Sequence, residues 1–302
     1  MALILVLWVI TLLTIMAGSF ALSIRRETSV ISSVRDSSEA SAIARAGIVI
    51  AQQMLLNPNK DERWLANGTI YPVEFANAEI RIKIHSEEGK ININKGNKPL
   101  LERLFKYAGV EDENVNKIVD AIMDWRDTND LVRLHGAEKG EYSDQGLKYE
   151  PRNKPFQSID ELQLVLGMDR ELYQAIEDMI TIYSSKGNVD KNSASPEVLS
   201  VLAGETLEEK NQDAKSLQDQ EEDDLLPQSE RRKPATTTQG AFTVIAEAKL
   251  INGAKSRIKA IINKASAIKR GDSETKSEPF SVFAWSKLQG AEESLFETEE
   301  VD

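Results

Sequence analysis

The sequence predicts an α+β protein with a long N-terminal helix, a small antiparallel sheet, and a helical block that interrupts the sheet. Three observations support this fold class. The first 24 residues carry no charge and lead into an unbroken helical stretch. Alternating apolar residues, typical of half-buried strands, occur at 80–84 and again within 242–262. Between about 95 and 180, the apolar residues instead recur at the spacing of amphipathic helices.

The uncharged start, residues 1–24, predicts a membrane anchor. At 1.5 Å per residue this helix spans about 36 Å, more than the roughly 30 Å of bilayer hydrocarbon. A cleaved signal peptide is the main alternative, but it would begin with basic residues, whereas here the apolar run starts at residue 2. A buried core helix is a third interpretation. Arg25 and Arg26 follow the span and alone favour a cytoplasmic remainder, which a basic leader removed upstream would reverse.

Residues 25–57 predict an amphipathic continuation of the same helix. Its apolar stripe consists of Ala40, Ile43, Gly47, Ile50 and Met54, at spacings of three and four residues. Pro58, between two asparagines, is expected to end the helix because proline lacks an amide hydrogen and clashes with the preceding turn.

Strands are expected at 58–94 and at 241–290. The first segment alternates through Ile80, Ile82 and Ile84, and Ile91 and Ile93 continue that pattern after a turn. In the second segment, Asn252-Gly253 predicts a two-residue hairpin turn, and residues 282–285 suggest a last strand. Both segments are expected to belong to one small antiparallel sheet.

Residues 95–204 form the predicted helical insert. Its flanks resemble each other: Gly89 to Leu101 and Gly187 to Leu199 each contain a short strand, a turn with Asn or Asp, and a helix that begins with Pro. Two unrelated turns of the same kind would give the same pattern. Residues 205–240 are expected to be an acidic linker, and residues 291–302 a disordered acidic tail.

The composition excludes several classes of site. The chain of 302 residues has 37 Lys+Arg, 49 Asp+Glu, two His and no Cys, for a net charge of −12. A disulfide scaffold, a Cys-ligated zinc site and a thiol nucleophile are therefore excluded. His85 and His135 are interpreted as structural, and no carboxylate stands isolated among apolar residues as a raised pKa would require. The sequence thus gives no indication of an enzyme.

The turn at Leu166-Gly167-Met168 resembles a helix-hairpin-helix turn, which can present backbone amides to phosphates. The surrounding helices carry many acids against Arg170 alone, however, and such a field repels a nucleic acid. The turn is therefore interpreted as a packing element, with no nucleic acid as a partner.

Acidic side chains crowd the segment that follows the second helix of the insert. They are Asp124, Asp127 and Asp130, with Glu138, Glu141 and Asp144 downstream. Such a loop suits a hard cation with oxygen ligands, and Ca²⁺ tolerates irregular geometry, although the spacing is not that of an EF-hand. A solvated acidic loop, or ion pairs with Arg126 and Arg133, would explain the same residues.

Several motifs in one order carry a family resemblance. They are Glu88-Gly89-Lys90-Ile91-Asn92-Ile93-Asn94, Asp124-Trp125-Arg126-Asp127, Gly136-Ala137-Glu138 before Tyr142, Leu164-Val165-Leu166-Gly167-Met168, and Asn192-Ser193-Ala194-Ser195-Pro196-Glu197-Val198-Leu199. With the N-terminal helix, they resemble the minor pseudopilin K family of bacterial type II secretion systems. The resemblance covers most of the chain and is weakest in the linker near 205–240 and in the tail.

The resemblance implies a pilin-like fold with a large inserted, SAM-like helical domain. It also implies a single-pass protein of the bacterial inner membrane, with the bulk of the chain in the periplasm despite Arg25 and Arg26. The precursor's short leader would be cut by the prepilin peptidase, so that Met1 is the first mature residue and the site of N-methylation. No leader is present in this sequence, so the processing is inferred.

The implied function is structural: a subunit that caps the pseudopilus tip and starts its assembly. The implied partners are minor pseudopilins I and J, other pseudopilins and, as a further option, secreted proteins. Calcium is the implied cofactor, with Asp124, Asp127, Asp130 and Glu138 as the expected ligands.

Leu5 stands where most pilins have Glu, whose carboxylate would neutralise the neighbouring subunit's amine. A subunit without this acid suits the topmost position, although Leu5 is also simply an anchor residue.

Two alternatives remain open from the sequence. The first is a membrane-anchored periplasmic ligand-binding or sensor module, and the second is a component of a DNA-uptake pilus.

Overall fold

A computed structural model describes residues 2–206, 240–264, 280–288 and 294–297. Its helices are α1 (Ala2–Leu55), α2 (Lys98–Tyr107), α3 (Asp112–Arg126), α4 (Lys139–Asp144), α5 (Arg170–Ile176) and α6 (Pro196–Ala203). Its strands are β1 (Asn67–Phe75), β2 (Ala78–Ser86), β3 (Ile91–Asn92), β4 (Ile180–Thr181), β5 (Ala241–Leu250), β6 (Lys255–Lys264) and β7 (Phe280–Leu288). Short 3₁₀ turns lie at Glu87–Gly89 and Ile159–Leu164. The predicted α+β class is confirmed.

Helix α1 is one continuous helix of 54 residues, as the sequence predicts. It is long and apolar enough to cross a membrane, and its most apolar 18-residue window is not buried by the rest of the protein. The helix ends at Leu55, three residues before Pro58.

The C-terminal quarter of α1 packs against the sheet through Ala40, Ile43, Ala44, Gly47, Ile48, Ala51 and Leu55. The predicted stripe is right up to Gly47 and then shifts by one residue. Ile50 and Met54 are only half-buried, whereas Ala51 and Leu55 are buried. Small residues hold this line because α1 approaches the strands closely: a Cβ on Gly47 would lie 3.0 Å from side-chain atoms of both Ala246 and Ile80.

Five antiparallel strands form the main sheet, in the order β1-β2-β5-β6-β7. The central pair, β2 and β5, is separated in sequence by the whole helical insert, and its register places Ile82 opposite Ala246. Ile80, Ile82 and Ile84 alternate with polar residues and are fully buried, as the period of two predicts.

The hairpin between β5 and β6 differs from the prediction. Leu250 N donates to Ala254 O, and Gly253 N donates to Leu250 O, so Ile251, Asn252 and Gly253 form a three-residue loop. Gly253 has a φ of +85°, which suits the left-handed position that closes such loops. The predicted two-residue turn is therefore wrong by one residue.

The helical insert has a hydrophobic core of its own, around Trp125, Phe105 and Leu104. Ile91 and Ile93, which the sequence analysis assigned to the sheet strands, belong to this second core instead. Ile91 pairs in parallel with Ile180 in a separate two-stranded ladder. The assignment to the main sheet is wrong because the pairing partner lies far along the chain, where local periodicity does not report it.

The two similar flanking segments pack against each other reciprocally. A Cβ on Gly89 would overlap the carbonyl of Ser193, and a Cβ on Gly187 would lie 2.7 Å from the carbonyl of Lys95. Gly89 and Gly187 hold equivalent positions in the two segments, as do Lys95 and Ser193. Each segment then opens a helix with a capping side chain, Asn97 for α2 and Ser195 for α6. The repetition in sequence is therefore also a repetition in structure.

Glu87 connects the sheet to the helical insert. Its buried carboxylate accepts hydrogen bonds from Thr243 on β5, at 2.6 Å, and from Thr181 on β4. Lys90 lies 3.1 Å away. Burial alone would raise the pKa of Glu87, but Lys90 and the two hydroxyls outweigh it and lower this pKa.

Part of the acidic tail, predicted to be disordered, is ordered on the sheet. Glu247 accepts hydrogen bonds from Ser294 Oγ at 2.8 Å and from Leu295 N at 2.7 Å. The ring of Phe296 lies 4.7 Å from the guanidinium carbon of Arg81. For residues 294–297 the prediction is therefore wrong. Met1, most of the linker (207–239) and the rest of the tail lie outside the described residues.

Candidate functional site

The acidic segment follows α3 and leads into α4, at one end of the helical insert. Its floor is aromatic: the ring of Trp125 stacks on Phe156 at 6.1 Å and lies 5.9 Å from the ring of Tyr142. All three rings are buried. This packing fixes the last turn of α3, so the residues beside Trp125 hold defined positions.

Asp124, Asp127 and Arg133 form a clasp that holds the loop to the end of α3. Arg133 Nε lies 3.0 Å from Asp124 Oδ1, and Arg133 Nη2 lies 2.8 Å from Asp127 Oδ2. The backbone amide of Arg133 also donates to Asp124 Oδ2, at 3.1 Å. Asp124 is fully buried, and this burial raises its pKa despite the opposing effect of Arg133. One guanidinium thus neutralises two of the four predicted carboxylates.

Asp130 lies in the exposed part of the loop. It accepts a hydrogen bond of 2.6 Å from the side chain of Asn153, which belongs to the segment that passes beneath the loop. Asn153 has a φ of +51°, a left-handed conformation that asparagine adopts more readily than most residues. Asn153 was not predicted as part of this site, because nothing in the local sequence pattern relates it to a loop more than 20 positions earlier.

Glu138 is the buried carboxylate at the N-terminus of α4. Its pKa is raised to about 7, first by burial and then by the negative charges of Asp124, Asp127, Asp130 and Glu141. The other three predicted ligands therefore lie within electrostatic reach of Glu138. The sequence-based expectation that no carboxylate has a raised pKa is wrong for Glu138.

Three buried acceptor oxygens around this loop receive no hydrogen bond from the part of the chain that the structure describes. They are Asp124 Oδ1, Glu138 Oε1 and Asn153 Oδ1. Asp124 Oδ1 still has Arg133 Nε at 3.0 Å, whereas Glu138 Oε1 has neither a donor nor an ion-pair partner among these residues. Buried oxygens without donors are costly, and a bound cation would compensate for that cost.

Arg126 does not take part in the clasp. Its guanidinium donates to the backbone carbonyls of Ile93 and Gly96, the latter at 2.7 Å, and so fixes α3 to the turn before α2. Of the two arginines considered as ion-pair partners for the acidic loop, only Arg133 fulfils that role among the described residues.

As they stand, the described side chains do not converge into a metal cage. No group of three or more acidic or histidine side chains within residues 2–206 and the later described segments is close enough to hold an ion directly. The donor set nevertheless fits a hard cation, because it consists of carboxylate and amide oxygens, several of them without donors. The loop would have to contract around the ion, with Arg133 moving aside.

The remaining predicted positions lie away from this loop. Leu5 is in the exposed apolar part of α1, and 66% of its surface is accessible. Gly167 has a φ of +87°, and a Cβ there would lie 2.8 Å from Ile118, which supports the packing interpretation of the hairpin turn. His85 is a half-buried residue of strand β2 and is far in sequence from the acidic loop.

Comparison with known proteins gives a consistent family. Residues 82–185 match the family model described as type II secretion system (T2SS), protein K. A type II secretion system protein K from Klebsiella pneumoniae is 26% identical over 175 residues, which cover 52% of this chain and 53% of that protein. The corresponding protein from Aeromonas hydrophila is 24% identical over 230 residues, covering 67% of this chain and 69% of that protein. The match thus spans about half the length of the first relative.

A solved structure supports the fold. It is the GspK–GspI–GspJ complex of the type 2 secretion system of enterotoxigenic Escherichia coli, with a TM-score of 0.51 and 15% identity. The match covers 88% of this chain and 99% of the matched chain. This structural match shows a likeness of fold, and the sequence matches are to the family that the motifs resemble.

Proposed function

We propose that this chain, a relative of type II secretion system protein K, is a minor pseudopilin with a structural rather than catalytic role. The observation that carries the proposal is the architecture itself. A helix of 54 residues has a membrane-length apolar part that the protein leaves exposed, and its other end is buried against a sheet that carries a helical insert. Such a subunit is anchored at one end and presents a folded unit at the other.

The proposed location is the bacterial inner membrane, with the sheet and the insert in the periplasm. The apolar half of α1 supplies the anchor, and the relatives supply the secretion-system context. Processing before Met1 and methylation of its amine belong to the same proposal.

Minor pseudopilins I and J are the proposed partners. The support is the fold shared with the GspK chain of a complex that contains GspI and GspJ. Leu5 supports a place at the tip. A helix without an acid at this position cannot neutralise the amine of a subunit beyond it, but its own amine can still be neutralised from below. We therefore propose that the chain caps the pseudopilus and starts its assembly.

Deletion of the gene in its own bacterium tests the function. Proteins that leave by type II secretion should then accumulate in the periplasm, and the wild-type gene should restore their export. A deletion strain that secretes normally would contradict the proposal. Unchanged export in the deletion strain, together with specific binding of a small ligand by the purified protein, would favour a binding or sensor module.

Calcium at the acidic loop is the second part of the proposal. Asp124, Asp127, Asp130 and Glu138 would hold the ion, and it would supply the positive charge that only Arg133 supplies in the loop as described. Two buried oxygens without a donor among the described residues, Glu138 Oε1 and Asn153 Oδ1, support this assignment. The ion would fix the loop, which is a structural role.

Calorimetric titration with Ca²⁺ tests the site. Asp127→Ala should weaken binding at least tenfold, whereas Asp144→Ala, an exposed acid at the end of α4, should leave it unchanged. Because Glu138 has a pKa of about 7 and must lose its proton to bind a cation, the wild-type affinity should rise between pH 6 and pH 8. Equal binding by wild type and Asp127→Ala would rule out this site.

A further inference from the structure

A cleft separates the outer face of the sheet from the helical insert. Its volume is about 340 Å³, within the range of small-ligand sites. One wall comes from β2, β5 and β6, and the other from the segment before α6, including Ser193 and Ser195. A ligand in this cleft would touch both units of the protein.

The charge of the cleft is opposite to that of the chain. Four cationic side chains line it, namely Lys83, Lys90, Arg257 and Lys259, against Asp178 as the acidic lining residue. The chain as a whole carries a net charge of −12. Such a local excess of positive charge attracts anions.

Two of these four cations have no counter-charge among the residues that the structure describes. Lys90 lies 3.1 Å from Glu87, and Arg257 lies 3.8 Å from Glu247. Lys83 and Lys259 are half-buried, and neither forms an ion pair with any residue that the structure describes. A partly desolvated ammonium group without a partner is unfavourable, so an anion between these two lysines would be stabilising.

The register places the two lysines around a common point. Lys83 lies opposite Ile245 on β5, and Ile245 lies opposite Lys259 on β6. All three residues line the cleft. Strands spaced about 4.8 Å apart place the two backbones roughly 10 Å from each other, a distance that two lysine side chains can bridge around one anion.

The opposite wall adds the N-terminus of α6. Ser195 caps this eight-residue helix, and both Ser195 and Val198 of its first turn line the cleft. Pro196 has no amide hydrogen and the amide of Val198 donates to Ser195 Oγ at 3.3 Å, so the contribution of this end to anion binding is the partial positive charge of the helix dipole. The lysines and the helix end thus converge from two different units.

His85, at the side of the cleft, reports the local field. Its pKa is lowered to about 4, first by burial and then by Lys83 and Lys90, while Glu87 and Asp178 oppose the shift. The cationic neighbours therefore outweigh the acidic ones at this point. A bound anion would reverse the balance and raise the pKa of His85.

We propose that this cleft binds a small multivalent oxyanion, of the phosphate or polycarboxylate class, between Lys83, Lys259 and the N-terminus of α6. Occupancy would connect the sheet to the helical insert and stabilise their arrangement. Anion binding in this cleft needs no partner protein, so it does not depend on the proposed secretion role.

Calorimetry on the full chain in a neutral detergent tests the proposal, with phosphate and citrate titrated separately at constant ionic strength. We expect saturable binding of at least one anion at one site, weakened at least tenfold in K83Q/K259Q. The matched control is K60Q/K148Q, which removes the same charge at two exposed lysines and should bind within twofold of wild type. Absence of saturable binding by wild type, or unchanged binding by K83Q/K259Q, would overturn the proposal.

The histidine rings provide a second measurement that does not depend on a variant. The chain has two His, so selective labelling resolves His85 from His135 by NMR. Saturating anion should raise the pKa of His85 and leave His135 unmoved. If the titration of His85 is the same with chloride and with the binding anion, the anion lies elsewhere and the proposed site is wrong.

Discussion

Glu87 is the residue on which the arrangement of the two units depends most directly. It lies in the turn where the chain leaves the sheet, and its carboxylate is bonded to hydroxyls from each unit. A buried carboxylate in this position is tolerated because Lys90 and two donors compensate for its lost hydration. Because the carboxylate depends on these three partners, a small change at Glu87 or at any of them should lower the stability of the junction.

Replacing Glu87 by Gln should destabilise the protein by about 2 kcal/mol, because charged hydrogen bonds are lost and the half-buried Lys90 loses its ion-pair partner. Urea unfolding of the full chain in detergent, followed by tryptophan fluorescence, measures this loss. Glu74→Gln, at an exposed position on β1, is the control and should change the free energy of unfolding by less than about 0.5 kcal/mol. An equally small effect for Glu87→Gln would show that the junction does not depend on this carboxylate.

At the residue scale, the sequence predicted that the acids after α3 lie in one segment, but it did not predict the raised pKa of Glu138. Asp124, Asp127 and Asp130 lie within electrostatic reach of Glu138. The raised pKa of Glu138 follows from burial at the start of α4, and burial depends on packing that the local sequence does not specify. Asn153 was missed for the same reason, since its contact with Asp130 is made only in the folded chain.

Among the elements, α1 and its contact with the sheet determine how the anchor meets the folded part. At Gly47 the helix lies close to the sheet, since a Cβ there would be 3.0 Å from side-chain atoms of Ala246 and Ile80. Ala44 and Ala51 extend this line of small residues. The helix is therefore held rigidly to the sheet over its last four turns.

Gly47→Val should destabilise the helix–sheet contact by about 2 kcal/mol, because the added methyl groups would collide with Ala246 and Ile80. The same urea unfolding experiment measures the effect. Gly18→Val is the matched control on the same helix, since a Cβ there meets nothing within 4 Å among the described residues. A loss of stability equal for both variants would indicate a general effect on the helix rather than on this contact.

At the scale of elements, the alternation of apolar residues predicts strand conformation but not strand pairing. The alternation at Ile80, Ile82 and Ile84 predicted β2 correctly, because a half-buried strand repeats every two residues whatever its partners are. The same alternation at Ile91 and Ile93 predicted the wrong sheet. Periodicity specifies a conformation and a buried side, whereas pairing depends on residues distant in sequence. The three-residue hairpin loop at Gly253 was misjudged because one dipeptide suits two loop lengths.

The whole molecule contains two hydrophobic cores, one around the sheet and α1, the other within the helical insert. Glu87 connects the two units through its hydrogen bond to Thr243. The reciprocal packing at Gly89 and Gly187 braces the insert beside this junction. The charge is also distributed unevenly over the whole molecule. The acids concentrate at the loop after α3 and in the linker and tail, whereas the cleft between the units is basic.

Association with other minor pseudopilins is the central claim at this scale, and sedimentation measures it most directly. The full chain and the I and J proteins of the same bacterium should be purified separately in detergent, mixed with excess Ca²⁺ and examined by analytical ultracentrifugation. The account predicts one complex that contains all three proteins in equal numbers. Three independent boundaries at micromolar concentration, with each protein folded, would contradict it.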